Sequence, residues 1–137
     1  MLLNIDLTGV VPIYQQIRDQ VVEAIATGQL VEGSGLPSTR QLAVDIGVNF
    51  HTVNKGYDLL RQQGLLRLNR KSGAVVARDP QSGRPEAGFQ DAWRTRLRTL
   101  LAEAVAHGIN HQAVLDTCQD VLGSFAERRG DFQGGAA

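Results

Sequence analysis

Residues Ser38–Lys55, STRQLAVDIGVNFHTVNK, decide how this chain is read. Two short helices joined by a tight turn account for the pattern. Ser38 is placed to cap the first helix, and Gln41, three residues on, completes a capping-box spacing. Leu42, Ala43 and Ile46 form one apolar stripe, and Gly47 stands where a helix end favours a residue free to take positive φ. Asn49 can cap the next helix, whose apolar positions Val53, Tyr57 and Leu60 recur at helical spacing. Phe50, His51, Thr52, Asn54 and Lys55 fall on the outer face, and most are hydrogen-bonding types. A helix-turn-helix has this layout, with the start of its second helix entering the DNA major groove. The same residues also suit a helical hairpin with a solvated outer face, and the segment that follows favours the first reading.

Beyond Gly64, a suitable residue just past a helix end, come Leu65–Leu68, a polar turn from Asn69 to Gly73, and Ala74–Ala77. Two short apolar runs around a polar turn predict a β-hairpin. Its tip carries Arg70 and Lys71. A hairpin directly after a recognition helix is the wing of a winged helix. Such a ribbon can lay cations on phosphates or in the minor groove while the helix occupies the major groove. By itself the hairpin would read as a surface turn with solvated charges.

Charge supports a DNA-facing surface. The chain holds 14 Lys and Arg against 14 Asp and Glu, so it is neutral overall. Between Asn49 and Arg78, however, six cations (Lys55, Arg61, Arg67, Arg70, Lys71, Arg78) face one anion, Asp58. Overall neutrality argues against a nonspecific DNA coater, while the local excess marks one phosphate-facing surface. The single cysteine, Cys118, excludes an intrachain disulfide and suits a cytoplasmic protein. It lies on an apolar stripe, where a buried small residue is expected. No run approaches the roughly 18 apolar residues of a membrane span, so a soluble, intracellular chain is expected.

Upstream, Pro12 is placed as the first residue of a helix whose Ile13, Ile17, Val21 and Ile25 recur every four positions, with Gly28 at its end. Leu2–Leu7 alternate weakly, as a short strand or arm would, and Gly33, Gly35 and Pro37 make a loop into Ser38. The fold class is therefore mostly α with a small β wing: an N-terminal winged helix-turn-helix over residues 1–78 and a linker rich in Pro and Gly over 79–88. A two-helix region follows over 89–129, then a glycine-rich tail over 130–137 expected to be disordered. In the two-helix region Phe89, Trp93, Leu97, Leu100 and Leu101 share one stripe. Val114, Cys118, Val121, Leu122 and Phe125 form another, beyond Gly108 and the candidate cap Asn110. Two helices cannot bury both stripes on each other. A second copy completing a four-helix bundle across a two-fold axis would cover them, as would folding back onto the winged helix.

Enzymes are disfavoured. His51, His107 and His111 are the only histidines, and Gly108 and Asn110 interrupt the helix between the last two, so they do not form a helical metal pair. No nucleophile set or paired carboxylates are recognisable, and Gly33–Gly35 is too short for a phosphate-cradling loop. No metal and no cofactor are expected. The other alternative is a winged-helix adaptor that binds protein rather than DNA.

PIYQQIRDQVVEAIATGQL, LPSTRQLAVDIGVNFHTVNKGYDLLRQQGLL and a wing ending SGAVVA together resemble the GntR family of bacterial transcription regulators, from Pro12 to about Ala77. The short C-terminal helix pair looks like the YtrA-type subfamily. That resemblance implies a dimeric repressor with a minimal two-helix dimerisation region, often beside genes for ABC transporters. It implies double-stranded operator DNA and a second copy of the chain as partners, with any small-molecule effector unknown. By the same resemblance Arg40 of PSTR is the phosphate-contacting arginine. Asn49, His51, Thr52 and Lys55 fall on recognition-helix positions that commonly read N-P-x-T-V-x-R, with Phe50 in place of proline and Lys55 in place of arginine. Ser38 and Asn54 join this DNA-facing set. Gly73 matches the second glycine of R-G-x-G-T-F-V, while Lys71 replaces the first, and Ala74 and Val75 replace Thr and Phe. Lysine tolerates positive φ poorly, so this departure predicts a wing tip that meets the minor groove differently.

Overall fold

The computed structural model describes residues 3–71 and 73–129. Its elements are α1 (Ile13–Ala26), α2 (Thr39–Ile46), α3 (Phe50–Gln62), β1 (Leu66–Asn69), β2 (Gly73–Val76), α4 (Phe89–Ala106) and α5 (His111–Arg129). They divide into two compact units, Met1–Ser82 and Gly83–Ala137. The winged-helix class follows directly: three helices and an antiparallel two-stranded wing in the first unit, two helices in the second.

The first unit closes around one apolar cluster. Ile17 and Val21 from α1, Val53 and Leu60 from α3 and Val76 from β2 are fully buried, with Leu42 and Ala43 of α2 beside them. Helix α1 begins one residue later than the sequence suggested. Pro12 takes the N-cap, and its carbonyl accepts from the Gln15 and Gln16 N–H groups, so its missing donor costs nothing.

Among the described residues before α1 no strand forms, and residues 7–11 turn and bend instead. Two glutamines of α1 hold this segment. The Gln20 amide receives the Asn4 N–H and donates to the Asn4 carbonyl, both at 2.8 Å, and Gln16 does the same with Asp6. Side-chain amides thus supply the donor and acceptor that a neighbouring strand would have provided.

Gly33–Leu36, expected as plain loop, is instead a third ribbon of the wing. Gly35 pairs antiparallel with Val75. The Gly33 N–H donates to the Val76 carbonyl, Val76 to Ser34 and Leu36 to Ala74, at 2.8–2.9 Å. With β1 on its other side, β2 is a central strand, and Ala74, Val75 and Val76 are all buried. An unbroken apolar run is what such a strand requires. Pairing stops short of Pro37, which has no N–H to give.

Asp79–Ser82 are also tied to the first unit. The Asp79 carboxylate accepts the Glu32 N–H at 2.8 Å and the Gln81 N–H at 2.7 Å, and these bonds hold it below the usual carboxylate range. The division between units therefore falls inside the stretch read as linker.

In the second unit Asn110 caps α5 through the Ala113 N–H at 2.9 Å, and Gly108, at φ 87°, ends α4. Among the described residues of α4 and α5 none is buried. Cys118 is exposed, contrary to expectation, because within this unit α4 and α5 leave its stripe uncovered among the described residues. The tail over residues 130–137 lies outside the described residues.

Candidate nucleic-acid interface

The turn between α2 and α3 is built by three local devices. The Ser38 hydroxyl accepts the Gln41 N–H at 3.1 Å, capping α2. The reciprocal half of the capping box is not made, because the Gln41 amide donates forward to Asp45 at 2.8 Å, one turn along the helix. Gly47 then takes φ 72°, and its N–H and that of Val48 close onto carbonyls in the last turn of α2. Finally, the Asn49 side chain accepts the His51 N–H at 2.8 Å and starts α3. That oxygen is therefore occupied, which removes part of what Asn49 could offer a base.

Tyr57 fixes the entry to α2. Its side chain is buried against the core, and its hydroxyl donates to the Pro37 carbonyl at 2.8 Å, one residue before the Ser38 cap. Burial pushes its pKa up from 10.0 to about 12. A raised phenol pKa favours folding fully below the unfolded value and loses that contribution as pH climbs through the folded one. Wild-type stability should therefore fall by up to about 2 kcal/mol between pH 10 and 12. Tyr57→Phe should cost about 1 kcal/mol at neutral pH and flatten the alkaline fall. Urea titrations at pH 8, 10 and 12 would measure both, and parallel alkaline losses in the two proteins would exclude Tyr57 as their source.

The outer face of this turn gathers most of the expected recognition residues. Arg40, at the start of α2, lies with its guanidinium carbon 4.4 Å from the centroid of the Phe50 ring. Phe50 in turn packs on the His51 ring, with centroids 4.2 Å apart and planes tilted by 32°. Arg40, His51 and Lys55 are exposed, and Thr52 and Asn54 half-buried. Lys55 is folded back so that its ammonium sits 4.1 Å over the ring of Tyr14. Reading of the sequence had not singled out Tyr14. Tyr14 lies on the helix that supports α3, and no spacing rule links it to Lys55, 41 positions away.

The wing cations are separate from that cluster. Arg67, Arg70 and Lys71 are exposed around the β1–β2 turn, whereas Arg61 is engaged by Asp58 at 3.2 Å. Among the described residues no non-glycine takes positive φ. Lys71 is accommodated by an Asn69 side chain that accepts its N–H at 2.9 Å, and Gly73, at φ 72°, takes the left-handed position. The departure at Lys71 therefore brings no left-handed strain to that residue. Ser72 lies outside the described residues.

A family model described as bacterial regulatory proteins, gntR family, matches residues 13–76. The solved structure of YtrA from Sulfolobus acidocaldarius, a GntR-family transcription factor, is 39% identical and superposes with a TM-score of 0.60. The match covers 77% of this chain and 99% of that one. The chain belongs to the GntR family. The HTH-type transcriptional repressor YtrA of Bacillus subtilis (strain 168) is 29% identical over 126 residues, 89% of this chain and 96% of the repressor. That similarity therefore extends past the wing into the helical hairpin. The DNA-binding domain of AraR, solved in complex with operator ORX1, is 27% identical with a TM-score of 0.50, over 56% of this chain and 99% of that one. This GntR-family chain thus has a likeness to one relative over both units and to another, DNA-bound, over its winged helix.

Proposed function

We propose that this GntR-family DNA-binding regulator is a homodimeric repressor of an inverted-repeat operator. One observation carries the reading: the N-terminal turns of α2 and α3 are brought together, with Arg40, His51 and Lys55 on one exposed face. Helix starts present unpaired N–H groups that favour phosphate oxygens. Arg40 supplies charge beside them, Arg70 and Lys71 supply it at the wing, and His51 and Lys55 would read base edges, Lys55 by leaving its seat over Tyr14. A two-fold dimer would set two such faces about one helical turn, roughly 34–36 Å, apart.

The exposed stripes of α4 and α5 support a second copy as the cover, with Trp93 and Leu122 left 45% and 66% accessible in the single chain. No helix is long and apolar enough to cross a membrane among the described residues, which suits action in the cytoplasm on chromosomal DNA. The relatives matched are regulators rather than enzymes, and we infer no catalytic activity. Genes for a transporter are the target the resemblance points to, and control by the repressor's own abundance is the simplest regulation. A ligand, where one acts, would bind between subunits and change the spacing of the recognition helices.

Selection of duplexes from a randomised pool tests the division of labour. Wild type should enrich an inverted repeat. Arg40→Ala and Arg70→Ala should enrich the same repeat but bind every duplex more weakly, each flattening the salt dependence by about two units, one per subunit of the dimer. His51→Ala and Lys55→Ala should relax preference at particular base pairs, by roughly 1–3 kcal/mol for a good base contact. An unchanged preferred site in both recognition-helix variants would show that these residues do not read the sequence.

A further inference from the structure

Arg40 and Phe50 lie on different helices, yet the guanidinium carbon sits 4.4 Å from the ring centroid. The ring itself is half-buried and packs against the apolar cluster of the first unit, so it is a fixed platform. Its other neighbour is His51, at 4.2 Å. Arg40 is exposed, and among the described residues it has no ion pair or side-chain hydrogen bond. A cation over an aromatic ring is attracted by the ring's negative face. The ring accepts no conventional hydrogen bond and the Arg40 N–H donors have no partner among the described residues, so the contact leaves donors for phosphate oxygens.

We propose that Phe50 is a positioning residue of the DNA interface, holding Arg40 across the α2–α3 junction with its N–H fork free for a phosphate. The proposal rests on the DNA-binding reading above and adds the residue that prepares its phosphate contact. Arginine samples many rotamers in solution, and fixing one before the encounter removes an ordering cost from binding. Because the same ring braces His51, the phosphate contact and a base-reading side chain keep one register.

The test is a double-mutant cycle on the full chain, using a duplex enriched by wild type from a randomised pool. Phe50→Leu keeps an apolar anchor without an aromatic face, Phe50→Met serves as a second ring-free variant, and Phe50→Tyr restores the face. Phe50→Leu should bind about three- to ten-fold more weakly than wild type, and Phe50→Tyr should bind as wild type does. In an Arg40→Ala background, Phe50→Leu should change affinity by less than about two-fold. In the free protein, the proton signal of the Arg40 Nε–H should carry a ring-current displacement that both ring-free variants lose.

The proposal is overturned if Arg40→Ala weakens binding while both ring-free variants bind like wild type. It is equally overturned if their loss is undiminished without Arg40. If Arg40→Ala itself binds like wild type, the phosphate role of Arg40 fails and the proposal falls with it. Should Phe50→Leu lower the thermal midpoint by many degrees, Phe50→Met supplies the same comparison in a folded protein.

Discussion

Leu100→Glu combined with Leu122→Glu should convert the protein to a monomer and lower operator affinity by about a hundred-fold or more. The magnitude follows from bivalency, since two recognition faces joined in one particle rebind at high effective concentration. Both leucines are more than 60% accessible in the single chain, so their replacement removes little packing from the hairpin itself. Placed at a two-fold seam, each new carboxylate would be desolvated next to apolar surface, which costs several kcal/mol. Leu97 is a poorer choice for this purpose because it is half-buried within its own chain. Sedimentation and binding isotherms on the same preparation measure the effect, with far-UV circular dichroism to show that the helices persist. A double variant that still sediments as a dimer would remove these stripes from the interface.

Gly56→Leu should lower the thermal midpoint of the DNA-binding unit by more than 10 °C. A Cβ built at Gly56 lies 3.0 Å from the Tyr14 carbonyl oxygen and 3.3 Å from Cγ2 of Ile17. Helix α1 thus lies tight against α3 at a position where α3 has no side chain. Alanine gains about 1 kcal/mol of helix propensity over glycine, which offsets much of its tight contact, so Gly56→Ala should change stability only slightly. Leucine adds three more carbons against backbone and must displace α1, an overpacking cost of about 3 kcal/mol. For a unit of this size that corresponds to a shift of about 10–20 °C. Tyr14 would move with α1, so the seat of Lys55 would be disturbed as well. A Gly56→Leu midpoint within 3 °C of wild type would show that the two helices have room to spare.

Much of this was legible in the sequence because the signals are local. Ser38, Gly47, Asn49 and Gly64 mark helix ends, and each device acts within a few residues of itself. The helical stripes were equally readable, since period alone reveals which face is apolar. What escaped depends on distant pairs. Pairing of Gly33–Leu36 with β2 joins segments some forty residues apart, and a glycine-rich stretch reads first as a loop. Gly56 carries no local signal of its own, because what it accommodates is the backbone of α1, some forty residues earlier. Cys118 was expected to be buried because its stripe is apolar, but a stripe states only that a cover is needed and says nothing of which chain provides it.

The recognition cluster shows the same division. Residue types at the start of α3 marked a surface suited to DNA, and the family resemblance assigned roles to Arg40, His51 and Lys55. Neither source indicated that Arg40 lies over Phe50 or that Lys55 lies over Tyr14. Aromatic platforms leave no spacing signature, because they form between helices whose relative placement only the fold determines.

The salt dependence of binding to the enriched operator tests the central claim most directly. A regulator that docks Arg40, Arg70 and Lys71 on phosphates in each subunit neutralises several charges per dimer and releases their counterions. The logarithm of the association constant should then fall linearly with the logarithm of salt concentration, with a slope of about −4 or steeper. A slope near zero, or no binding to any duplex from the pool at low salt, would contradict the account and favour a winged helix that binds protein.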